Sequence, residues 1–394
     1  MTSTVLQHLE HLSVKIGPRG STTPQERQAH EYARAWFETL GLETHWEPFT
    51  SPTSGWRPFV LASLGGLFAL LLEALFRSRV IALAAGLFML VITVSVLLEL
   101  HFKPNPLRLF LPTGPSQNVW ARLPAKKTPK RRVVIAGHID TQRTPWAFTS
   151  PQRLAFFQNV STLGVVTFAI SALFYLGMAF FDFGAFRWLA LAFAPIFLLV
   201  FFVTAQPERT PFTHGANDNA SGASVVMSLA GQLAKNPLEN IEVWALTDGC
   251  EEVGGFGVQA FIRKYGGDLK TMSVINLDNI AGKGAGVCYV SREGMLLPLK
   301  ASPELLSIAN EIAEEFAAER ADLKVYAREF TTLHTDGSVF MLSGVPTLSF
   351  LGLTPEGALP DWHQASDTFE RVDAKAVEAV ETFVLEMLRR MDRS

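Results

Sequence analysis

The sequence predicts an α/β protein with a mixed, mostly parallel sheet sandwiched by helices, plus four transmembrane helices in two hairpins. Three observations predict it. The 394 residues are 48% hydrophobic and only 18% charged, where a soluble domain carries about 25% charge. The apolar excess sits in four runs. Outside those runs, short apolar stretches alternate with helical patterns, which implies a sheet covered on both faces.

Pro58–Phe76 contains a single charge, Glu73; Val80–Leu98, Val160–Phe181 and Trp188–Ala205 contain none, and Pro195 interrupts the last. Each approaches the roughly 20 apolar residues that cross a ~30 Å hydrocarbon layer. Only Arg77-Ser78-Arg79 separates the first two, and Asp182 to Arg187 the second two. Each pair is therefore read as an antiparallel hairpin that returns the chain to the side it left. Buried helices of a soluble core are the competing reading, but four such runs exceed what a core of this size absorbs. Residues 1–57, 101–153 and 207–394 then form one α/β domain; 58–100 is the first hairpin and 154–206 the second.

The start, Met1-Thr2-Ser3-Thr4, has no signal-peptide pattern, and Lys126, Lys127, Lys130, Arg131 and Arg132 lie on the domain side. Both favour a multi-pass protein with its catalytic domain on the cytoplasmic face, while Arg77 and Arg79 in the first link pull the other way. Glu73, Glu99 and His101 are too few for a transport path. The net charge of −3 gives no support for nucleic-acid binding, and two cysteines cannot build a disulfide scaffold.

In the soluble part, Thr23, Pro24 and Glu26 predict a helix with a capping box that stops at Gly41. Strands are expected at Asn118–Leu123, Val133–Gly137, Ile241–Thr247, Thr271–Leu277 and Val345–Phe350. Helices are expected at about Ala220–Ala234, Phe256–Tyr265, Pro303–Ala318 and Ala374–Met391. Pro124–Arg132 reads as a solvated basic loop with anionic lipid as a second possible contact.

In such sheets chemistry gathers where strands end. The first of these ends is His138-Ile139-Asp140. Asn217-Asp218-Asn219-Ala220-Ser221-Gly222 precedes a helix. Cys250-Glu251-Glu252 and Asp278 follow the next two strands, and Asp361-Trp362-His363 with Asp367-Thr368 lies near the C-terminus. Each piece has a bland reading: a structural His-x-Asp pair, a helix cap, a solvated acidic pair, a turn, a surface histidine. Their joint occurrence in five loops does not. Two zinc ions ~3.5–4 Å apart need one bridging carboxylate and about two further N/O ligands each, and His, Asp, Glu, Asp, His supplies that count with one carboxylate left as a base.

These pieces resemble the M28 family of co-catalytic di-zinc aminopeptidases. The resemblance rests on Gly137-His138-Ile139-Asp140, Gly215 through Gly222, Glu251-Glu252-Val253-Gly254-Gly255, Asn276-Leu277-Asp278, and His363 with Asp367-Thr368; Ile16-Gly17-Pro18-Arg19 is similar to the family's opening. It implies a zinc-exopeptidase fold and two Zn(2+) per chain, with Co or Mn as substitutes. Asp218 would bridge the metals, His138 and Asp278 would complete one site, and Glu252 and His363 the other. Glu251 would be the general base on the metal-bridging water, and Asp140 would fix the tautomer of His138. A tight turn over Gly249 to Gly255 would let the two glutamates diverge. Asp367 is expected as a hydrogen-bond partner near His363, and Cys250 as a small packed residue.

One departure concerns the family's Ser/Thr-Asp-His stretch, which here reads Thr335-Asp336-Gly337. Another is architectural, because the second hairpin interrupts the chain between His138 and Asp218. That placement predicts that hairpin or lipid gates the site; a Ser150–Pro207 deletion with unchanged turnover would contradict it. The resulting expectation is a membrane-anchored exopeptidase acting on the N-terminal bond of short peptides. The alternatives are an amidase or deacylase of the same fold, a one-zinc glutaminyl cyclase, and a non-catalytic scaffold. The expected partners are a short peptide or amide and the lipid bilayer, with no nucleic acid.

Overall fold

In the computed structural model, residues 3–295, 298–319 and 323–393 are described. The described strands are β1 (Glu43–Pro52), β2 (Thr113–Leu123), β3 (Arg131–His138), β4 (Ile241–Asp248), β5 (Met272–Asp278), β6 (Val287–Glu293), β7 (Leu299–Lys300), β8 (Val325–Phe330) and β9 (Thr347–Leu351). The α-helices are α1 (Thr4–Glu10), α2 (Pro24–Thr39), α3 (Arg57–Phe76), α4 (Arg79–Glu99), α5 (Pro151–Phe180), α6 (Ala194–Ala205), α7 (Ser221–Lys235), α8 (Phe256–Leu269), α9 (Pro303–Glu319), α10 (Asp336–Leu342) and α11 (Ala374–Arg393). Two compact units result. One comprises Met1–Ser51, Gly114–Arg143 and Phe212–Ser394; the other comprises Pro52–Thr113 and Thr144–Pro211.

The first unit is built on a mixed sheet of order β1-β2-β4-β3-β5-β9-β6-β7, with β8 also paired to β6. β4, β3, β5 and β9 are mutually parallel, and β2 and β6 join them antiparallel. All eight residues of β4 are buried, as expected of a strand covered on both faces. α7 is buried along nearly its whole length against the sheet, and α11 adds Val377, Val380, Phe383 and Met387 to the same core. Parallel pairing puts the C-terminal ends of β3, β4, β5 and β9 on one edge, so His138, the turn after Asp248, Asp278 and the loop after Leu351 start from a common border.

The structure extends the sequence reading at the sheet margins, where β1, β6, β7 and β8 were not anticipated. β1 carries Glu43, Glu47 and Pro48 and stands at the end of the sheet. An edge strand with one neighbour needs no continuous apolar run. The capping box is only half realised. The Thr23 hydroxyl accepts from the Glu26 amide at 3.3 Å, but the Glu26 carboxylate accepts from the Thr22 amide and from Ser116 and Cys250. Four of the loop's five basic residues pair with protein carboxylates: Lys126 and Lys127 with Glu239, Arg131 with Glu304 and Arg132 with Asp268.

The second unit contains four helical segments long and apolar enough to cross a membrane: Arg57–Phe76, Arg79–Glu99, Pro151–Phe180 and Gly184–Arg209. They face outward with Phe68, Leu71, Leu87, Val91, Leu173 and Phe202 and inward with Ala62, Ala85, Met89, Phe168, Ala172 and Phe197. A Cβ on Gly86 would lie 2.7 Å from Leu176, so the missing side chain lets α4 and α5 approach closely. Ser63, Thr93, Ser95, Thr167 and Thr204 donate to carbonyls four residues back, which satisfies each hydroxyl within its own helix. Glu73 pairs with Arg187, linking the first hairpin to the second. Two span boundaries differ from expectation. Ser150 caps α5 ten residues before Val160, and the fourth span opens as a 3-10 helix, Gly184–Phe193, with Pro195 in the first turn of the α-helix that follows.

Candidate metal centre

Five side chains from four sheet-edge loops and one pre-helical loop converge. His138 Nε2 lies 3.4 Å from Asp218 Oδ1 and 3.4 Å from Asp278 Oδ1. His363 Nε2 lies 3.1 Å from Asp218 Oδ2 and 3.3 Å from Glu252 Oε2. The donors thus form two groups that share Asp218, one carboxylate oxygen to each. His138, Asp218, Asp278 and His363 are buried, and the Glu252 side chain is 5% exposed. Tetrahedral ligands held about 2.0–2.2 Å from a zinc ion stand about 3.3–3.6 Å apart, close to the separations found. Donor atoms of His138, Asp218 and Glu252 fall within 4.8 Å of one another, and buried Glu252 Oε1 and Asp218 Oδ2 receive no hydrogen bond. Crowded nitrogen and carboxylate donors with orphaned oxygens fit cations.

Local structure sets each donor. Asp218 sits in an irregular segment, φ −111° and ψ 91°, between Gly215 and α7, with a cis peptide to Asn219. Asp367 holds this segment by accepting from the Asn217 amide at 2.6 Å and the Asp218 amide at 3.0 Å. Asp367 thus acts as a hydrogen-bond acceptor at the site, and the amides of Asn217 and Asp218 are donors that the sequence reading did not name. The Asp140 carboxylate accepts from the amides of Glu251 at 3.1 Å and Glu252 at 3.2 Å. His138 Nδ1 is nearer to the Asp140 carbonyl, 3.2 Å, than to its carboxylate, 3.5 Å. One aspartate therefore braces the histidine loop against the glutamate turn.

In that turn the Glu251 carbonyl accepts from the amides of Gly254 and Gly255, both at 2.8 Å. A Cβ on Gly257 would meet the Gly249 carbonyl at 2.3 Å, so the turn closes only around a glycine there. Gln142 Nε2 donates to Glu252 at both its carbonyl and Oε2, 3.0 Å each. Cys250 packs with Val253, Phe256 and Phe49.

Electrostatics follow from burial and close charge. Burial pulls the His363 pKa down, but Glu252 and Asp218 outweigh it and hold it at about 10. His138 is likewise held well above its ordinary value, against burial, by Asp140, Asp218 and Asp278. Burial, then Asp218, pushes Glu252 up to about 7. Glu251 is pushed well up, by burial first, with His138 opposing and Glu252, Asp278 and Asp140 adding to it. Without cations the site retains protons that cations would displace.

Several buried groups at the site escaped the sequence reading. Asp248 ends β4 and Asp336 begins α10; both are fully buried, and burial followed by the neighbouring Asp248 carboxylate drives the Asp336 pKa well up. Glu293 on β6 accepts from Ser338 at 3.0 Å and Thr335 at 3.1 Å. It also accounts for Gly337, because a Cβ there would stand 2.1 Å from Ser349 Oγ and 2.8 Å from Glu293 Oε1. Charged residues inside strands carry no sequence signal of burial; only the Thr335-Asp336-Gly337 departure pointed toward this region. His214 Nδ1 lies 3.2 Å from the Ser13 carbonyl.

Residues 200–388 match the family model described as Peptidase family M28. The probable lipoprotein aminopeptidase LpqL of Mycobacterium tuberculosis is 25% identical over 196 residues, 44% of this chain and 39% of that protein. Aminopeptidase YwaD of Bacillus subtilis is 36% identical over 63 residues, 16% of this chain and 14% of that protein. The chain thus spans well under half the length of these relatives. In fold it is similar to an aminopeptidase from Aneurinibacillus sp. strain AM-1, at TM-score 0.57 and 14% identity, covering 98% of this chain and 93% of that one. A glutaminyl cyclase of Fimbriiglobus ruber gives TM-score 0.56 and 16% identity, covering 99% and 96%.

Proposed function

We propose, from the match of residues 200–388 to peptidase family M28, that the protein is a membrane-anchored di-zinc exopeptidase removing the N-terminal residue of short peptides. The observation that supports this most is the sharing of Asp218 between the His138–Asp278 and Glu252–His363 groups. His138, Asp218 and Asp278 would hold one zinc ion, and Asp218, Glu252 and His363 the other. Two such ions supply Lewis-acid chemistry, polarising a scissile carbonyl and acidifying a water.

The rest falls to the chain. Glu251, half-buried and within electrostatic reach of His138, Glu252 and Asp278, would take a proton from the attacking water on its carboxylate and pass it to the leaving amine nitrogen. Asp140 keeps Glu251 and Glu252 in register through their amides. Gln142 orients Glu252. The shared bridging position with Asp278 beside His138 supports two metals over the one-zinc cyclase alternative. Four apolar spans support anchoring in a bilayer.

The test is hydrolysis by the detergent-purified protein of matched peptides with free, N-acetylated and N-terminal glutaminyl ends, with and without chelator. Release of the first residue from free ends alone, abolished in Glu251→Ala and by chelation, is expected. Cleavage of acetylated peptides would replace the reading with an amidase, and cyclisation of the glutaminyl set with a cyclase. Loss of the protein from membranes in an alkaline carbonate wash would refute the anchoring.

A further inference from the structure

Arg19 is fully buried, and among the described residues no other arginine or lysine is. A buried guanidinium is normally balanced by a carboxylate. Arg19 instead donates only to main-chain carbonyls. Nε reaches Ile139 at 2.9 Å; Nη1 reaches Leu12 at 2.9 Å, Gly17 at 2.8 Å and His214 at 2.8 Å; Nη2 reaches Gly215 at 2.9 Å.

The acceptors lie in meaningful places. Ile139 stands between His138 and Asp140. His214 and Gly215 lead into the irregular segment that presents Asp218. Leu12 and Gly17 belong to the N-terminal segment. The backbone adds two more ties, Arg19 N to Thr141 Oγ1 at 3.0 Å and Thr141 N to the Arg19 carbonyl at 3.2 Å. The charge is placed as well. Burial lowers the Arg19 pKa to about 10, while Asp367, Asp140 and Asp218 oppose that fall, so the group remains cationic at neutral pH.

We propose that Arg19 is a positioning residue of the metal centre, clamping the loop of His138 and Asp140 to the loop of Asp218 so that the two donor groups keep the spacing that a pair of cations requires. This rests on the di-metal reading above. The planar fork is the reason for arginine: its donors point in fixed directions to three separate segments, whereas a lysine ammonium is one point with three rotatable donors. Arg19 donates no hydrogen bond to a donor side chain and acts through the backbone that carries them.

The experiment uses the full chain in detergent, stripped of metal and titrated with Co(II). Stoichiometry, affinity by chelator competition and the visible d–d absorption are read for wild type, Arg19→Lys, Arg19→Gln and Leu9→Ala. Leu9 is fully buried in α1 and serves as a control that damages the core of the same unit without removing a hydrogen bond from either loop. Wild type is expected to bind two ions. Both Arg19 variants, folded by near-ultraviolet circular dichroism, should bind at least one ion about 10- to 100-fold more weakly, with an altered absorption band. Leu9→Ala should lose thermal stability and keep the affinity and the band. A wild type that binds fewer than two ions refutes the di-metal reading itself. Wild type binding two while the Arg19 variants match it within about twofold overturns the clamp. So does equal weakening in Leu9→Ala, or failure of both Arg19 variants to fold, which would make Arg19 a folding determinant only.

Discussion

Replacing Glu293 by glutamine should make the metal-free protein more stable at pH 8 and leave it no more stable at pH 4.5. Glu293 is fully buried on β6. Burial pushes its pKa from 4.5 to about 7; the Ser338, Ser349 and Thr335 hydroxyls oppose the rise, and the Asp278 carboxylate adds to it. A folded pKa above the unfolded one means that the native state binds the proton more tightly. Between pH 4.5 and 7 the native state therefore holds more protons than the unfolded state, and stability falls as pH rises. A gap of about 2.5 units at 1.36 kcal/mol each comes to about 3 kcal/mol lost above pH 7. Glutamine stays neutral and keeps an acceptor for Ser338 and Thr335, so it escapes that loss. Other buried acids titrate nearby, Glu26 at about 8 and Asp367 at about 7, but they are common to both proteins and cancel in the comparison. The assay is urea unfolding of the metal-free full chain by tryptophan fluorescence from pH 4.5 to 8. Parallel curves for wild type and variant across that range would refute the reasoning.

Three further outcomes are expected. Glu251→Gln should lower turnover about 10²- to 10⁴-fold with metal stoichiometry unchanged; lost metal would reassign Glu251 as a ligand. Gly337→Ala should destabilise by about 1–3 kcal/mol, because its Cβ has no room beside Ser349 and Glu293; an unchanged melting temperature would contradict that packing. Zinc added at about 100 times its Kd should stabilise by about 2.7 kcal/mol and release protons near pH 7, since His363 and Glu252 hold theirs to about 10 and 7 without it. Binding measured by pH-stat with no proton release would refute the charge assignment.

Much of the fold was legible because burial leaves a compositional trace. Parallel strands β3, β4 and β5 are covered on both faces and read as apolar runs, and the four spans contain almost no charge over their length. β1, β6 and β8 were not legible, because strands near a sheet margin tolerate glutamate, arginine and proline. The donor types were readable as motifs at strand ends. Their grouping came only from the resemblance to a known family and not from the residues themselves, because His138 and Asp278, or Asp218 and His363, are brought together only by strand order and by loops far apart in the chain.

The sequence by itself determined the two hairpins, the alternating α/β pattern and the identity of the candidate metal donors, since these depend on local hydrophobicity and on residue type at element ends. The tertiary structure decided which Asp218 oxygen faces which donor group, Oδ1 toward His138 and Oδ2 toward His363. It also decided that Asp367 holds the Asp218 backbone, that Glu293 fills the space at Gly337, and that Arg19 lies beneath the loops of His138 and Asp218. Each of these depends on which buried polar atoms find partners across long sequence separations, and a single chain read in one dimension carries no record of that pairing.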